Sequence, residues 1–350
     1  MKPKLPHVLR HFRGRNIIIA ATIGIAVLLF MVFKDFDIAT LQAIEWGANA
    51  WFWVCASIIM MVLRDLFYMV RLRILSDNEI SWQHSFQVMM LWEFASAVTP
   101  SAIGGTGVAL FIVAQEKINS GKTTAIVLLT SLLDEVFFIT MVPIIFLVIG
   151  MSTAFPQLDE STFQTFLGNG IYAVFFTGYF ILFAYTIFIW FGIFIKPQLI
   201  RRLLFLATYL KFLGKWRRKA VQLGIDIETA SKEFKTKPLK FWLKAYGATF
   251  IAWTARYIMV NCLIMAFYNL DEHLIVYGRQ LVMWVILLIT PTPGGSGMAE
   301  FVFPTFLGEY LPQEGLPIIV AGLWRLLSYY PYIIIGAIVL PIWLRRVFSK

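Results

Sequence analysis

Eight charged residues stand inside stretches that are otherwise apolar: Arg64, Asp65, Glu93, Asp134, Glu135, Arg256, Glu300 and Arg325. An ionised group deep in an apolar segment is expensive, so such side chains face one another or a watered path. Two kinds of chemistry are open to them. They can pair and staple the fold, or the guanidinium groups of Arg64, Arg256 and Arg325 can converge on an anion and bind it bidentately. In the second case Glu93, Asp134, Glu135 and Glu300 would balance the arginines, take up protons or hold a cationic part of the ligand, and the sequence leaves these three roles open. Adjacent residues diverge by about 100 degrees on a helix. Arg64 and Asp65 are therefore expected to face different partners, as are Asp134 and Glu135.

Two small-residue motifs supply a place for the arginines to converge. One runs from Val98 to Gly107 as Val-Thr-Pro-Ser-Ala-Ile-Gly-Gly-Thr-Gly, and the other from Leu288 to Gly297 as Leu-Ile-Thr-Pro-Thr-Pro-Gly-Gly-Ser-Gly, about 190 residues later. Proline and glycine interrupt a helix and leave backbone groups without partners, which at membrane depth is tolerated only inside protein or beside water. Helices starting after Gly107 and Gly297 would offer unpaired N–H groups and positive dipole ends. Gly104, Gly105, Gly294 and Gly295 would let a headgroup approach the backbone, and Thr106 and Ser296 would add hydroxyl donors. Matching interruptions in two halves of a membrane protein point to a transporter-type site.

The elements that must position these residues follow from composition. The 350 residues are 59% hydrophobic and 14% charged, against roughly 25% charged in soluble domains. Spans are expected at 17 to 33, 50 to 70, 124 to 149, 171 to 195, 246 to 268 and 317 to 344, with broken pairs at 82 to 116 and 279 to 306. The shortest is about 25 Å long at 1.5 Å per residue. The basic run Lys2, Lys4, Arg10, Arg13, Arg15 precedes the first, which reads as an uncleaved span. Lysines and arginines gather before residue 17, at Arg71 and Arg73, and at 196 to 240, which places those segments and both termini on the cytoplasmic side. The segments 150 to 169, 269 to 278 and 304 to 315 have none and should face outward. Each broken pair must then begin and end on one side, the first either as a re-entrant hairpin, by analogy with the second, or as two full crossings, since 82 to 98 is longer. The second descends for only about 12 residues, near 18 Å, too short to cross.

That reasoning gives an all-α, polytopic membrane helix bundle with two inverted repeats, at about 50–149 and 246–344, each carrying a re-entrant Gly/Pro-broken hairpin, within one transmembrane domain 1–350. Spacing agrees: Gly107 to Glu135 and Gly297 to Arg325 are both 28 residues. Between the repeats, Leu199, Leu203, Leu206, Leu210 and Leu213 from Pro197 to Lys215 read as one amphipathic helix in the cytoplasmic interface, at the start of the basic segment 196–240. Cys55 and Cys262 read as inert core thiols. The sequence Gly121-Lys122-Thr123 lacks the upstream glycine of a phosphate loop, and the scattered His7, His11, His84 and His273 make no metal set. No cofactor and no metal are expected, and no catalytic nucleophile or acid pair is recognisable, so the chain is read as a non-enzyme.

The paired Thr-Pro and Gly-Gly-x-Gly motifs, above all Thr290 to Gly297 followed by Glu300, resemble the membrane domain of lysylphosphatidylglycerol synthases and its stand-alone, flippase-like relatives. The first motif departs from this pattern, with Ala102 and Ile103 where the second has only Pro293. The resemblance implies movement of a phospholipid, or a related anionic or aminoacylated amphiphile, between leaflets of a bacterial inner membrane. It also implies that the soluble synthase domain is absent here. Compatible partners are membrane phospholipids, further copies of the chain and a separate lipid-modifying enzyme, and not nucleic acid. The alternatives are a transporter of a small water-soluble anion and an intramembrane enzyme acting on lipid-linked substrates.

Overall fold

In a computed structural model, residues 46–99, 102–116, 118, 120–156, 170–209, 217–288, 295, 297–313 and 315–348 are described. The expected first span at 17 to 33 lies outside these residues, as do Gly294, Ser296, Leu210 and Leu213. The described residues form helices joined by turns and short irregular segments, with no strand among them. We number the helices α1 (Ala48–Leu75), α2 (Trp82–Val98), α3 (Ala102–Ala114), α4 (Ser120–Ile149), α5 (Gly170–Trp190), α6 (Pro197–Ala207), α7 (Arg217–Lys235), α8 (Leu239–Phe267), α9 (His273–Leu288), α10 (Met298–Leu307), α11 (Leu316–Ser328) and α12 (Tyr330–Phe348). Among the described residues five segments are long and apolar enough to cross a membrane: Ala48–Leu75, Gly121–Ile149, Gly170–Ile195, Leu239–Phe267 and Leu316–Phe348. This is the expected all-α polytopic bundle.

Local chemistry explains where the helices stop. Thr99 precedes Pro100, whose ring disfavours helical backbone one residue earlier, and Thr99 is extended at φ −101°, ψ 138°. Asp77 and Asn78 turn the chain after α1 with φ of 53° and 64°, a region these two residue types tolerate best after glycine. Gly295 and Gly297, at φ 68° and 86°, make the corresponding turn before α10, where a side chain would be strained. The last span is not continuous. Pro331 lacks an N–H and crowds the carbonyl four residues back, and the chain breaks at Tyr329, between α11 and α12.

Helix α1 buries one stripe, Ser57, Met61, Arg64, Tyr68, Arg71 and Leu75, spaced three to four apart as one helical face requires. It packs along α8, whose buried Ala245, Ala248, Ala252 and Ala255 let the two backbones approach closely. The opposite face of α1, with Ile59, Val62 and Leu66, is exposed, as a lipid-facing surface is. Cys55 lies on the exposed side and is not a core thiol; Cys262 is buried.

Several of the remaining helix contacts fall into matched sets. Helix α1 contacts α2 as α8 contacts α9; α2 contacts α3 as α9 contacts α10; α3 contacts α4 as α10 contacts α11; and α1 contacts α4 as α8 contacts α11. Contacts between the halves match too, with α2 on α12 answering α4 on α9, and α4 on α8 answering α1 on α11. On one end of the bundle, Lys122 pairs with Asp77, Glu79 and Glu233, while Lys237 pairs with Asp77 at 2.6 Å. On the other, buried Arg279 donates to the Phe306 carbonyl at 2.8 Å and pairs with Glu309. Helix α6 is shorter than the leucine spacing predicts. It ends at Ala207, with Leu203 and Leu206 exposed.

Candidate functional site

The helix breaks surround one cavity of about 290 Å³. Ser96 and Ala97 reach it from the end of α2, Thr106 from α3, Leu288 from the end of α9, and Arg325, Ser328, Tyr329 and Tyr332 from either side of the α11/α12 break. Four arginines line it, Arg64, Arg71, Arg256 and Arg325, together with the carboxylates Glu93, Asp134 and Glu135. Seven of the residues singled out in the sequence thus meet at one place: Arg64, Glu93, Thr106, Asp134, Glu135, Arg256 and Arg325.

Three of the arginines are already held. Arg64 is fully buried and pairs with Glu93 at 2.7 Å and with Asp65 at 2.8 Å. It also donates to the Tyr332 hydroxyl at 2.7 Å, and that hydroxyl donates to Asp65 at 3.0 Å. Arg64 and Asp65 therefore share a partner, contrary to the expectation from helical geometry. The long guanidinium stem folds back over its neighbour, so the 100-degree divergence of the Cα–Cβ bonds does not separate the two heads. Arg71 pairs with Asp134 and donates to Thr249 Oγ1 at 3.2 Å, and Trp253 Nε1 donates to Asp134 at 2.7 Å. Arg325 lies 2.8 Å from Glu300, and its guanidinium stands 4.0 Å over the Tyr329 ring. Tyr329 in turn donates to the Ala97 carbonyl at 3.0 Å, joining the α11/α12 break to the end of α2.

Arg256 differs. Half-buried, it stacks over Trp253 at 5.4 Å and has no carboxylate partner among the described residues. Beside it, Trp253, Trp284 and Phe138 form an aromatic wall, with Phe138 and Trp284 stacked at 3.7 Å. Glu135 differs in the same way. It faces the cavity with no basic partner among the described residues, and its Oε2 is buried without a hydrogen bond.

The glycine motifs are not equivalent. The first helix start lies at Ala102, before the glycines, so Gly104, Gly105, Thr106 and Gly107 sit inside α3. Proline breaks the chain here, and glycine does not. At Gly105 the room a ligand would need is filled, because an added Cβ would stand 2.2 Å from Ser96 Oγ. Gly107 is exposed, with nothing within 4 Å of such a Cβ. In the second motif Gly297 does precede its helix, but its N–H donates to Glu300 Oε2 at 2.6 Å. The acid three residues into the helix reaches back and takes that donor, as in a capping box. The N-terminus of α10 thus has this donor already satisfied.

Sequence reasoning missed Arg71, Tyr332, Trp253 and Trp284. Arg71 was counted as a cytoplasmic loop charge beside Arg73, yet it lies within α1 and is 3% exposed.

A family model described as "Lysylphosphatidylglycerol synthase TM region" matches residues 17–336. A "UPF0104 membrane protein" of Archaeoglobus fulgidus is 27% identical over 299 residues, covering 82% of this chain and 85% of the relative. No solved structure matches the chain.

Proposed function

Because the chain belongs to the family of the lysylphosphatidylglycerol synthase transmembrane region, we propose that it carries an anionic lipid headgroup across the membrane through the cavity around Arg256. The observation that carries this reading is the contrast between Arg256 and its neighbours. Arg64, Arg71 and Arg325 each have a carboxylate within ion-pair distance, whereas Arg256 has none among the described residues. A half-buried cation lined up with no anion gains from a counter-charge, and a phosphate entering the cavity would supply one. The other arginines stay neutralised by their own carboxylates, and the fork of Arg256 would meet two phosphate oxygens at once.

Size limits what can enter. About 290 Å³ is at the lower end of small-ligand sites; it suits a headgroup and not two acyl chains, which would stay in lipid. We read α2–α3 and α9–α10 as hairpins entering from opposite faces, supported by the matched helix pairings. Related halves of opposite orientation are the architecture of alternating access. In this reading α6 rests in the cytoplasmic interface with Leu203 and Leu206 toward acyl chains, and no covalent bond is made or broken.

The test uses the purified chain in liposomes of phosphatidylethanolamine and phosphatidylglycerol, with a tail-labelled fluorescent phosphatidylglycerol and a membrane-impermeant quencher. The wild type should expose inner-leaflet label, and Arg256→Ala should slow this by about 10–100-fold, the worth of one charged hydrogen-bonding group. Equal rates in both would remove the site. Movement of soluble glycerol phosphate, with no movement of lipid, would favour a small-anion transporter.

A further inference from the structure

Glu135 is the carboxylate in the cavity that no arginine among the described residues holds. Glu93 faces Arg64, Asp134 faces Arg71 and Glu300 faces Arg325. A proton on any of those three would have to break an ion pair, whereas a proton on Glu135 breaks none. The groups that share its surroundings are few. Asp134 adjoins it on α4; α1 presents Arg64, Tyr68 and Arg71; α2 presents Glu93; α8 presents Arg256; α11 presents Arg325; the break after it presents Tyr329; and α12 presents Tyr332. On α5, Tyr185 hydrogen-bonds Ser131, one turn before Glu135. Helix α3 has no titratable residue, α9 faces the cavity with Trp284 and Leu288, and α7 meets α4 at Gly121 and Lys122, far from Glu135.

We propose that Glu135 carries one proton per transport cycle and couples headgroup movement to the proton gradient. This rests on the transport reading above. In the step, Oε2 of the carboxylate takes one proton from water while the cavity is open to one side and returns it to water when the cavity opens to the other. One proton crosses per cycle together with one singly anionic headgroup, so the two charges cancel, and no other bond changes. Carboxyl relays of this kind are a recurring use of acids placed inside membrane segments. Arg256 and Glu135 then divide the work, the first meeting the ligand's phosphate and the second the proton.

Proteoliposomes of the same composition, carrying tail-labelled phosphatidylglycerol, are compared with and without an imposed difference of about one pH unit. With one proton per lipid, such a gradient biases the wild-type leaflet distribution of label by up to about tenfold. Reversing the gradient reverses the bias. Glu135→Gln should move label at a rate that no longer responds, whereas Glu135→Asp, which keeps a carboxyl, should retain the response; melting temperatures in detergent confirm that both fold. Wild-type movement that depends on Arg256 but ignores the gradient overturns the coupling and leaves the transport reading intact. No wild-type movement at all overturns both. A Glu135→Gln variant that still follows the gradient also overturns the coupling. So does gradient-independent wild-type transport in which Glu135→Gln impairs only lipids bearing an ammonium group, since Glu135 would then hold a ligand cation.

Discussion

Removing one member of the Arg325–Glu300 pair should cost far more than removing both. The two side chains are 6% and 4% exposed and stand 2.8 Å apart, so neither charge has water to fall back on. Arg325→Leu leaves Glu300 buried beside a leucine, and Glu300→Leu leaves Arg325 buried without its nearest anion; breaking such a pair costs about 3–5 kcal/mol. Glu300→Leu also removes the acceptor for the Gly297 N–H, a charged hydrogen bond worth about 1.5–3 kcal/mol. The double variant has no uncompensated charge. That bond and the stacking of Arg325 on the Tyr329 ring, about 0.5–2 kcal/mol, are lost, so its net penalty should be about 2–5 kcal/mol, less than either single change. The assay is equilibrium unfolding of the four proteins in one detergent, analysed as a double-mutant cycle. A double variant as unstable as the sum of the two singles would show that the charges do not depend on each other, and the account of the buried arginines as mutually compensated would fail.

Gly105→Ala should destabilise the bundle by about 1–3 kcal/mol through overpacking, because its Cβ would meet Ser96 Oγ at 2.2 Å and Ser96 Cα at 3.0 Å; Ser96→Gly in the same chain should recover much of the loss in detergent melts. Gly297→Ala should cost about 1 kcal/mol or more from its positive φ alone, since nothing lies within 4 Å of the added carbon. Gly107→Ala, equally open but helical, should be neutral or stabilising by up to about 1 kcal/mol; matched melting temperatures for the two would contradict the backbone argument. Burial alone would raise the Asp77 carboxyl, but hydrogen bonds from Lys237 and Lys122 outweigh it and hold it below its ordinary value. A depressed carboxyl adds stability that is present above its unfolded value, about pH 3.9, and is lost as pH falls through the lower folded one. Acid unfolding should therefore show a loss below about pH 4 that Asp77→Asn lacks.

The spans and several of the site residues were legible because charge inside an apolar run has few explanations. Arg64, Arg256, Arg325, Asp134 and Glu135 stand out for that reason, and all line the cavity. Arg71 was hidden by position. Next to Arg73 at a helix end, it joined a count of cytoplasmic cations, and only packing against α4 and α8 reveals that it points inward. Tyr332, Trp253 and Trp284 carry no signal of their own, since aromatic residues are common throughout such spans. The first glycine motif misled because glycine is tolerated within membrane helices, so the helix ran through Gly104 to Gly107 once Pro100 had been passed. The break at Tyr329 was available in Pro331, but an unbroken apolar run outweighed a single proline.

Equilibrium binding to the purified protein tests the central claim most directly, with short-chain phosphatidylglycerol and the matching diacylglycerol, which lacks the phosphate, as ligands. If the guanidinium of Arg256 is the vacant half of an ion pair, the wild type should prefer the phosphate-bearing lipid by about 10–100-fold, and Arg256→Ala should lose that preference. Equal affinity for the two lipids in the wild type, or an undiminished preference in Arg256→Ala, would contradict it.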